Sequence, residues 1–526
     1  MTKNILFLTV TLAAFLFFLP QAASGEVAGT LYASADTAAS EISVTARRPK
    51  IGIAFAGGGA KGAAHIGVLK VLEEVGIPID YVTGTSIGSI IGGLYSLGYS
   101  AEQMDTLISG MDWSIYLSNR MQRRGMSSVE KEYDGKYLLN VPFNVGTLNG
   151  NLKRENKAFR DRMRAVKRNE GDSSPEGGLN FMRSLPGGFI EGSNLQNLFN
   201  CLSVGYQDSM DFNDLPIPFA CIGSDIISKN EVVIRNGRLP DAIRGSMAIP
   251  GVFAPTRYGD MLLVDGGMFN NFPVKVCRDM GADIVIGIEV SEDEKVEPEE
   301  IRSLPELLGR LFDIITRGSI AENREQCTIY IRPDVNGYGT LSFDPKSIRT
   351  LINRGYAAAD AKRDILVALR KQLDSLGAPS HTVYKAPPAK NVSPLSETEV
   401  EISDIRIEGV TESDKVWLMR KSGLDRMTQA SGQDLDMAVS ICYGTGFFKK
   451  IEYMLNPAED DSYVLTLKTT PSEPHVMSLG LRFDSQDVVN VLFRLGWNTY
   501  RISGFKADFH TRLSVDPIFK LTASYV

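Results

Sequence analysis

Three textures of apolar patterning follow one another along this chain. From Ile51 the pattern is one of strands alternating with helices. Ile51 to Ala56 is a buried-strand candidate that runs into Gly57-Gly58-Gly59-Ala60-Lys61-Gly62 and then into a helix, where Ile66, Leu69, Leu72 and Val75 recur at helical spacing. Gly76 and Pro78 stop that helix, and Ile79 to Val82 reads as the next strand. Gly84-Thr85-Ser86-Ile87-Gly88 follows, then a helix from Ile90 to Leu97. Strand, loop, helix, strand, turn, helix is the beginning of an α/β sheet. The pattern weakens between Ala101 and Arg183. It returns with a helix after Glu191-Gly192, capped by Ser193 or Asn194. Strands are predicted at Phe219 to Gly223, Glu231 to Ile234, Met261 to Val264, Ile284 to Val290 and Thr328 to Ile331, and a helix over Leu351 to Leu369 closes this region, residues 51–377.

Residues 378–397 break the pattern with Pro379, Pro387, Pro388 and Pro394, and read as a linker. The second texture, residues 398–474, predicts a strand (Val400 to Ile407), two helices (Ser413 to Ser422, Leu435 to Tyr443) and two strands (Ile451 to Met454, Tyr463 to Leu467), a small α+β module. The third, residues 475–526, has period two in Met477 to Phe483, Val491 to Trp497, Phe505 to Leu513 and Phe519 to Tyr525. Such alternation fits membrane-spanning β-strands as well as an ordinary half-solvated sheet, and about four strands fall short of the roughly eight that close a barrel.

Ahead of all three lies a leader. Lys3 precedes an apolar run from Ile5 to Leu19, and Ala23-Ser24-Gly25 offers a small-residue cleavage site, so residues 1–25 are expected to be a signal peptide and the protein exported. Residues 26–50, rich in Ala, Ser, Thr and Glu, read as a linker.

Composition narrows the chemistry. The net charge of -7 over 526 residues carries no nucleic-acid footprint. Five scattered cysteines (Cys201, Cys221, Cys277, Cys327, Cys442) read as buried free thiols and not a disulfide framework, and four dispersed histidines (His65, His381, His475, His510) make a zinc site unexpected. The basic stretch Lys153 to Arg168 fits a solvated helix or one lying against anionic headgroups.

Two glycine-rich stretches remain. Gly57 to Gly62 fits G-x-G-x-x-G, and Asp80 lies near the distance a dinucleotide site expects, though within the next strand candidate. Ala63 after Gly62 excludes a phosphate-binding P-loop. Consecutive glycine N–H groups before a helix can equally form an oxyanion hole. A serine between Gly84 and Gly88, at a strand-to-helix turn, has the form of a strained nucleophile elbow. No histidine is well placed as its base. Asp265 in Asp265-Gly266-Gly267, directly after a strand, is the remaining candidate, its other reading being a turn-forming Asp-Gly.

Together these motifs resemble the patatin-like phospholipase family, over roughly Ile51 to Arg278: a glycine-rich loop, a G-x-S-x-G serine and a D-G-[AG] acid, in that order, with Ser246 to Gly251 similar to the run the family carries ahead of the acid. The resemblance implies a three-layer α/β sandwich with a mainly parallel sheet. It also implies Ser86 as nucleophile, Asp265 as base, Gly57, Gly58 and Gly59 as oxyanion donors, and Lys61 as the basic residue common in that loop. The expected activity is hydrolysis of a phospholipid or other lipid ester, with no cofactor or metal. The later segments resemble a POTRA module followed by part of a bacterial surface-antigen barrel. Signal peptide, patatin domain, POTRA and barrel look like the patatin-type autotransporters of Gram-negative bacteria, implying an outer-membrane or cell-surface location, though this sequence stops after about four strands. Two further readings stay open: an outer-membrane assembly or secretion protein with a catalytically idle patatin passenger, and a dinucleotide-binding protein.

Overall fold

The computed structural model describes residues 48–119, 137, 139–143, 188–291, 304–472, 475–482, 490–498, 505–513 and 517–525. The expected signal peptide, all but the last residues of the linker after it, and the basic stretch Lys153 to Arg168 lie outside the described residues.

Eight strands form the central sheet: β1 (Ile51–Phe55), β2 (Tyr81–Thr85), β3 (Phe219–Asp225), β4 (Asn230–Ile234), β5 (Thr256–Tyr258), β6 (Met261–Asp265), β7 (Ile284–Ile288) and β8 (Ile329–Ile331). Their order is β5-β6-β3-β2-β1-β7-β8, with β4 also paired to β3. The pairings β3-β2, β2-β1, β1-β7 and β7-β8 are parallel, whereas β4, β5 and β6 pair antiparallel. The sheet is therefore mixed: five neighbouring strands, β3-β2-β1-β7-β8, are parallel, and antiparallel strands complete the β3 side. Short turns join β3 to β4 and β5 to β6, and a turn too short for a crossover leaves only antiparallel pairing.

The sequence dictates a layer on each face. Successive residues of β1 point to opposite sides of the sheet. Ile51, Ile53 and Phe55 pack with helices α1 (Ala64–Val75) and α2 (Ile87–Ser96), while Ala54 and Ala56 face Val274, Cys277 and Ile320 on the other side. Each fully buried aliphatic side chain of this kind contributes roughly 1.5–3 kcal/mol. The helical pattern expected from Leu351 resolves into two helices, Pro345–Asp360 and Arg363–Ser375. The first crosses α1 with backbones in contact: a Cβ at Gly67 would lie 1.9 Å from Ile352 O, and one at Gly355 the same distance from Ala64 O.

The following region runs in the order strand, helix, helix, strand, strand that its pattern predicts: β9 (Val400–Glu408), Glu412–Ser422, Gly432–Tyr443, β10 (Phe448–Pro457) and β11 (Tyr463–Pro471). Strand β11 lies between β9 (parallel) and β10 (antiparallel). The outer edge of β10 is taken up by amide side chains from helix α3 (Ser193–Leu202) and the turn after it. Asn197 donates to Ile451 O (3.0 Å) and accepts from Tyr453 N (3.1 Å). Asn200 donates to Tyr453 O (2.6 Å), and Gln207 accepts from Leu455 N (2.6 Å). The cap of α3 differs from expectation. Gly192, at φ 79°, is the N-cap, and Asn194 instead donates to Ile115 O and Ser118 O. Glycine reaches this left-handed conformation without a Cβ penalty, so the turn sits one residue earlier than either polar candidate.

The last strands, His475–Arg482, Asn490–Asn498, Phe505–Leu513 and Ile518–Tyr525, form an antiparallel sheet extended by Leu139–Phe143. Its polarity is inverted relative to a water-soluble sheet. Leu479, Leu481, Leu513, Phe519 and Leu521 are exposed, while Ser478, Asn490, His510 and Thr511 are buried. Among the described residues no helix is long and apolar enough to cross a membrane.

Candidate active site

Strand β3 brings the site together through its register. Thr85, the last residue of β2, pairs with Ile222, and Asp265, the last residue of β6, pairs with Gly223. Strand β4 occupies the opposite edge of β3 through both positions. Strands β2 and β6 therefore share one edge, ending head to head, and the residue after Thr85 is delivered to Asp265.

That residue is Ser86. Its backbone is strained, at φ 55° and ψ -123°, between the end of β2 and the start of α2. The turn is tight enough to require both flanking glycines. A Cβ at Gly84 would lie 2.1 Å from Gly88 O, and one at Gly88 would lie 2.4 Å from Phe55 O. Ser86 N donates to Ser246 Oγ (3.1 Å), at the end of helix α4 (Leu239–Ser246). Ser86 Oγ donates to Asp265 Oδ2 at 2.6 Å, a short charge-assisted bond. Only 3% of Ser86 is exposed, and none of Asp265.

Asp265 caps the turn Gly266–Met268, its Oδ1 accepting from Gly267 N (2.8 Å). Gly266 is required by close approach, since a Cβ there would lie 2.2 Å from Ile222 O. The backbone of Asp265 is fixed too: its N–H donates to Ala248 O, and its C=O accepts from Ser224 Oγ. Burial pushes the carboxyl up to about 7, with the hydrogen bonds from Ser86 and Gly267 pulling the other way. A carboxylate near neutrality is a far better proton acceptor than an ordinary aspartate.

The glycine loop folds as a 3-10 turn, Gly59–Ala63, against Ser86. A Cβ at Gly57 would lie 3.1 Å from Ser86 Cβ, and one at Gly62 would strike Ile87. The expectation for Gly57 needs correction: its N–H donates to Asn271 O (3.0 Å) and its C=O accepts from Asn271 Nδ2 (3.3 Å), so its donor is committed. Among the described residues the N–H groups of Gly58 and Gly59 have no partner, and neither has that of Ile87, at the positive end of α2. Gly59, at φ 57°, faces Thr340 O so closely that no side chain fits. Lys61 is buried within the same turn.

His65 is no base for Ser86. Its Nε2–H donates to Ala56 O (2.9 Å), burial pulls its pKa down to about 4, and the neutral ring packs edge-on against Phe55. Asp80 sits before β2, at the opposite end of the strands from the glycine loop. It pairs with Arg48 (2.7 Å) and Lys50 (3.0 Å) and accepts from Ile51 N, so it clamps the entry of β1 and is turned away from any ribose near Gly57. All five cysteines are free, four of them buried as expected and Cys327 partly exposed, and no described cluster of His, Cys, Asp or Glu is arranged to hold a metal.

A serine, a buried carboxylate and a loop of free glycine amides are thus gathered at the carboxyl end of the parallel strands of an α/β sheet. Residues 53–278 match the family model for the patatin-like phospholipase, so this stretch of the chain carries a patatin-like phospholipase domain. The chain is 31% identical over 321 residues to patatin-like phospholipase domain-containing protein 6 of Homo sapiens, covering 56% of this chain and 19% of that one. It is 28% identical over 353 residues to Lysophospholipase NTE1 of Mycosarcoma maydis, covering 61% of this chain and 15% of that one. The chain thus spans under a fifth of the length of these curated relatives. Among solved structures, VipD from Legionella pneumophila is similar at 17% identity over 60% of this chain and 67% of that one, with a TM-score of 0.33, an overlap too loose to carry an argument.

Proposed function

We propose that this protein is a serine lipid acyl hydrolase, of phospholipase A or lysophospholipase type, working through a Ser86–Asp265 dyad. The observation that carries this reading is the 2.6 Å bond from a buried serine hydroxyl to a buried carboxylate whose pKa is raised to about 7. In this mechanism Asp265 takes the Ser86 proton as Oγ attacks the ester carbonyl. The oxyanion is held by the N–H groups of Gly58 and Gly59, with Ile87 as a further donor that the sequence motifs did not point to. Asp265 then returns the proton to the departing alcohol, leaving an acyl-enzyme. Water, deprotonated by the same carboxylate, releases the fatty acid. Similarity to a protein named a lysophospholipase supports a lipid ester as substrate. The test is a hydrolysis panel of phospholipids, lysophospholipids and triglycerides with wild type and Ser86→Ala. Activity should fall by about 10³-fold or more, and a Ser86→Ala variant hydrolysing at the wild-type rate rules the reading out.

The inverted polarity of the last sheet supports a second element of the proposal. Leu479, Leu513 and Leu521 face outward while Ser478, Asn490 and His510 are buried, as in strands with a lipid-facing exterior and a polar interior. On this reading residues 475–526 are outer-membrane barrel strands, residues 398–474 a POTRA-like module and residues 51–377 the hydrolase of an exported surface protein of a Gram-negative bacterium. An outer-membrane assembly or secretion protein with an idle passenger is the competing reading, and the same Ser86→Ala panel separates them. Partition of the full chain into the outer-membrane fraction, resistant to carbonate extraction, tests the location, and recovery in the soluble fraction overturns it.

A further inference from the structure

Away from Ser86, a cavity of about 300 Å³ lies between helix α4, the segment 254–257 and strands β10 and β11. Its wall carries Arg244, which is 3% exposed. Arg244 Nη2 donates to Glu191 O (3.0 Å) and Ala254 O (3.2 Å), and the guanidinium lies over the Phe253 ring at 5.0 Å. Nη1 is buried with no hydrogen-bond partner, and Arg244 forms no ion pair among the described residues. Leaving a charged donor unmet inside a protein is costly, and a guanidinium with one free edge is shaped to receive an oxyanion. Burial pulls its pKa down to about 10, at which it is still a cation at neutral pH.

The rest of the lining has the same bias. Arg238 is already paired with Asp241 (3.0 Å), and Lys450 with Glu452 (2.5 Å). Arg257 and Lys468 also line the cavity, one from the hydrolase body and one from β11, and neither forms an ion pair among the described residues. Glu191 and Glu452 also line the cavity and favour the Arg244 cation, but each is held by a lysine, Lys449 (2.9 Å) and Lys450 (2.5 Å). Arg244 Nη1, Arg257 and Lys468 are thus left converging on one cavity with no ion-pair partner among the described residues.

We propose that this cavity is an anion site for a phosphate group, with Arg244 as its buried anchor and Arg257 and Lys468 closing over the outer oxygens. A phosphate offers the several strong acceptors that these donors need, and the cavity has room for it with a small substituent. The site is separate from the Ser86 centre and independent of the esterase reading. It is nevertheless linked to it through α4, which bears Arg244 and ends at Ser246, the acceptor of Ser86 N–H.

The probe is inorganic phosphate titrated calorimetrically into the full chain, with chloride as comparator, alongside sedimentation with phosphatidylcholine vesicles with and without phosphatidate. Arg257→Gln/Lys468→Gln alters only the outer cations and should weaken phosphate binding about tenfold or more, because two charge-assisted contacts to the phosphate are lost. Arg244→Gln should abolish it, and because that variant is buried, the double variant carries the test if it fails to fold. Free phosphate that binds and competes with phosphatidate vesicles supports the site with a soluble ligand. Vesicle binding that needs phosphatidate and falls in the double variant, without competition, supports it with a lipid headgroup. Phosphate and phosphatidate that bind no better than chloride and plain vesicles, or bind the double variant equally well, overturn it.

Discussion

Ser86 and Asp265 stand at the facing ends of two strands that share one edge of a third, so a register step from Ile222 to Gly223 brings together residues 179 positions apart. The proposed base is therefore set by backbone pairing. Because burial raises Asp265 to about 7, and the ionised form is the one that accepts the proton, acyl-ester hydrolysis should rise about tenfold per pH unit below neutrality and level off above about 7. A pH–rate profile of kcat/KM checks this. A plateau already reached at pH 5 would mean an ordinary carboxylate.

The same shift has a cost in stability. A folded-state pKa raised above the unfolded value of 3.8 means that this carboxyl's own contribution to stability is greatest below about 4 and declines as pH rises towards 7, because the ionised carboxylate is favoured in the unfolded chain. Asp265→Asn removes that ionisation. Its melting temperature should exceed that of wild type above pH 7, the gap narrowing steadily towards pH 4, while hydrolysis is lost. Thermal melts across this range measure it.

Ser246 holds Ser86 N–H from the end of α4 and touches no reacting atom. Ser246→Ala leaves a buried N–H unmet at the strained turn. kcat should fall about tenfold, the scale of one lost buried hydrogen bond, with KM little changed and Ser246→Thr recovering part of the rate.

Gly88 lies in ordinary helical surroundings, yet a Cβ there would meet Phe55 O at 2.4 Å. Gly88→Ala should therefore destabilise the fold by about 1–3 kcal/mol or more, although alanine is the better helix former. Gly318, whose Cβ position has no atom within 4 Å, is the control: Gly318→Ala should leave the melting temperature unchanged or raised. Chemical denaturation compares the two.

Asn197 satisfies both backbone groups that face it on β10. Asn197→Ala should speed hydrogen exchange at the Tyr453 amide and cost about 1–3 kcal/mol. If that amide's protection is unchanged, side-chain amides are not what closes that edge.

How much of this was legible in the sequence follows from how local each requirement is. Gly84, Ser86 and Gly88 are a single turn, and Asp265 with Gly266 and Gly267 is another, so the steric and hydrogen-bond demands of each appear within a few residues. What joins the turns is not local. Nothing in either motif says that β2 and β6 share an edge of β3, or that Ser246 supplies an acceptor. Gly57 shows the reverse: its motif suggested a free donor, and Asn271, far along the chain, had already taken it. Asp80 matched a spacing, but the direction of β2 put it at the wrong end of the sheet. Arg244 gave no signal at all, because an arginine's free edge is visible only when everything around it is in place.

The shared edge of β3 also sets an order of events. A growing chain carries the Ser86 turn long before Asp265 has been made, and the two meet only once β6 has come to lie in line with β2. Until then the serine has no base, so hydrolytic power, on the reading proposed above, arrives only once β6 has paired with β3.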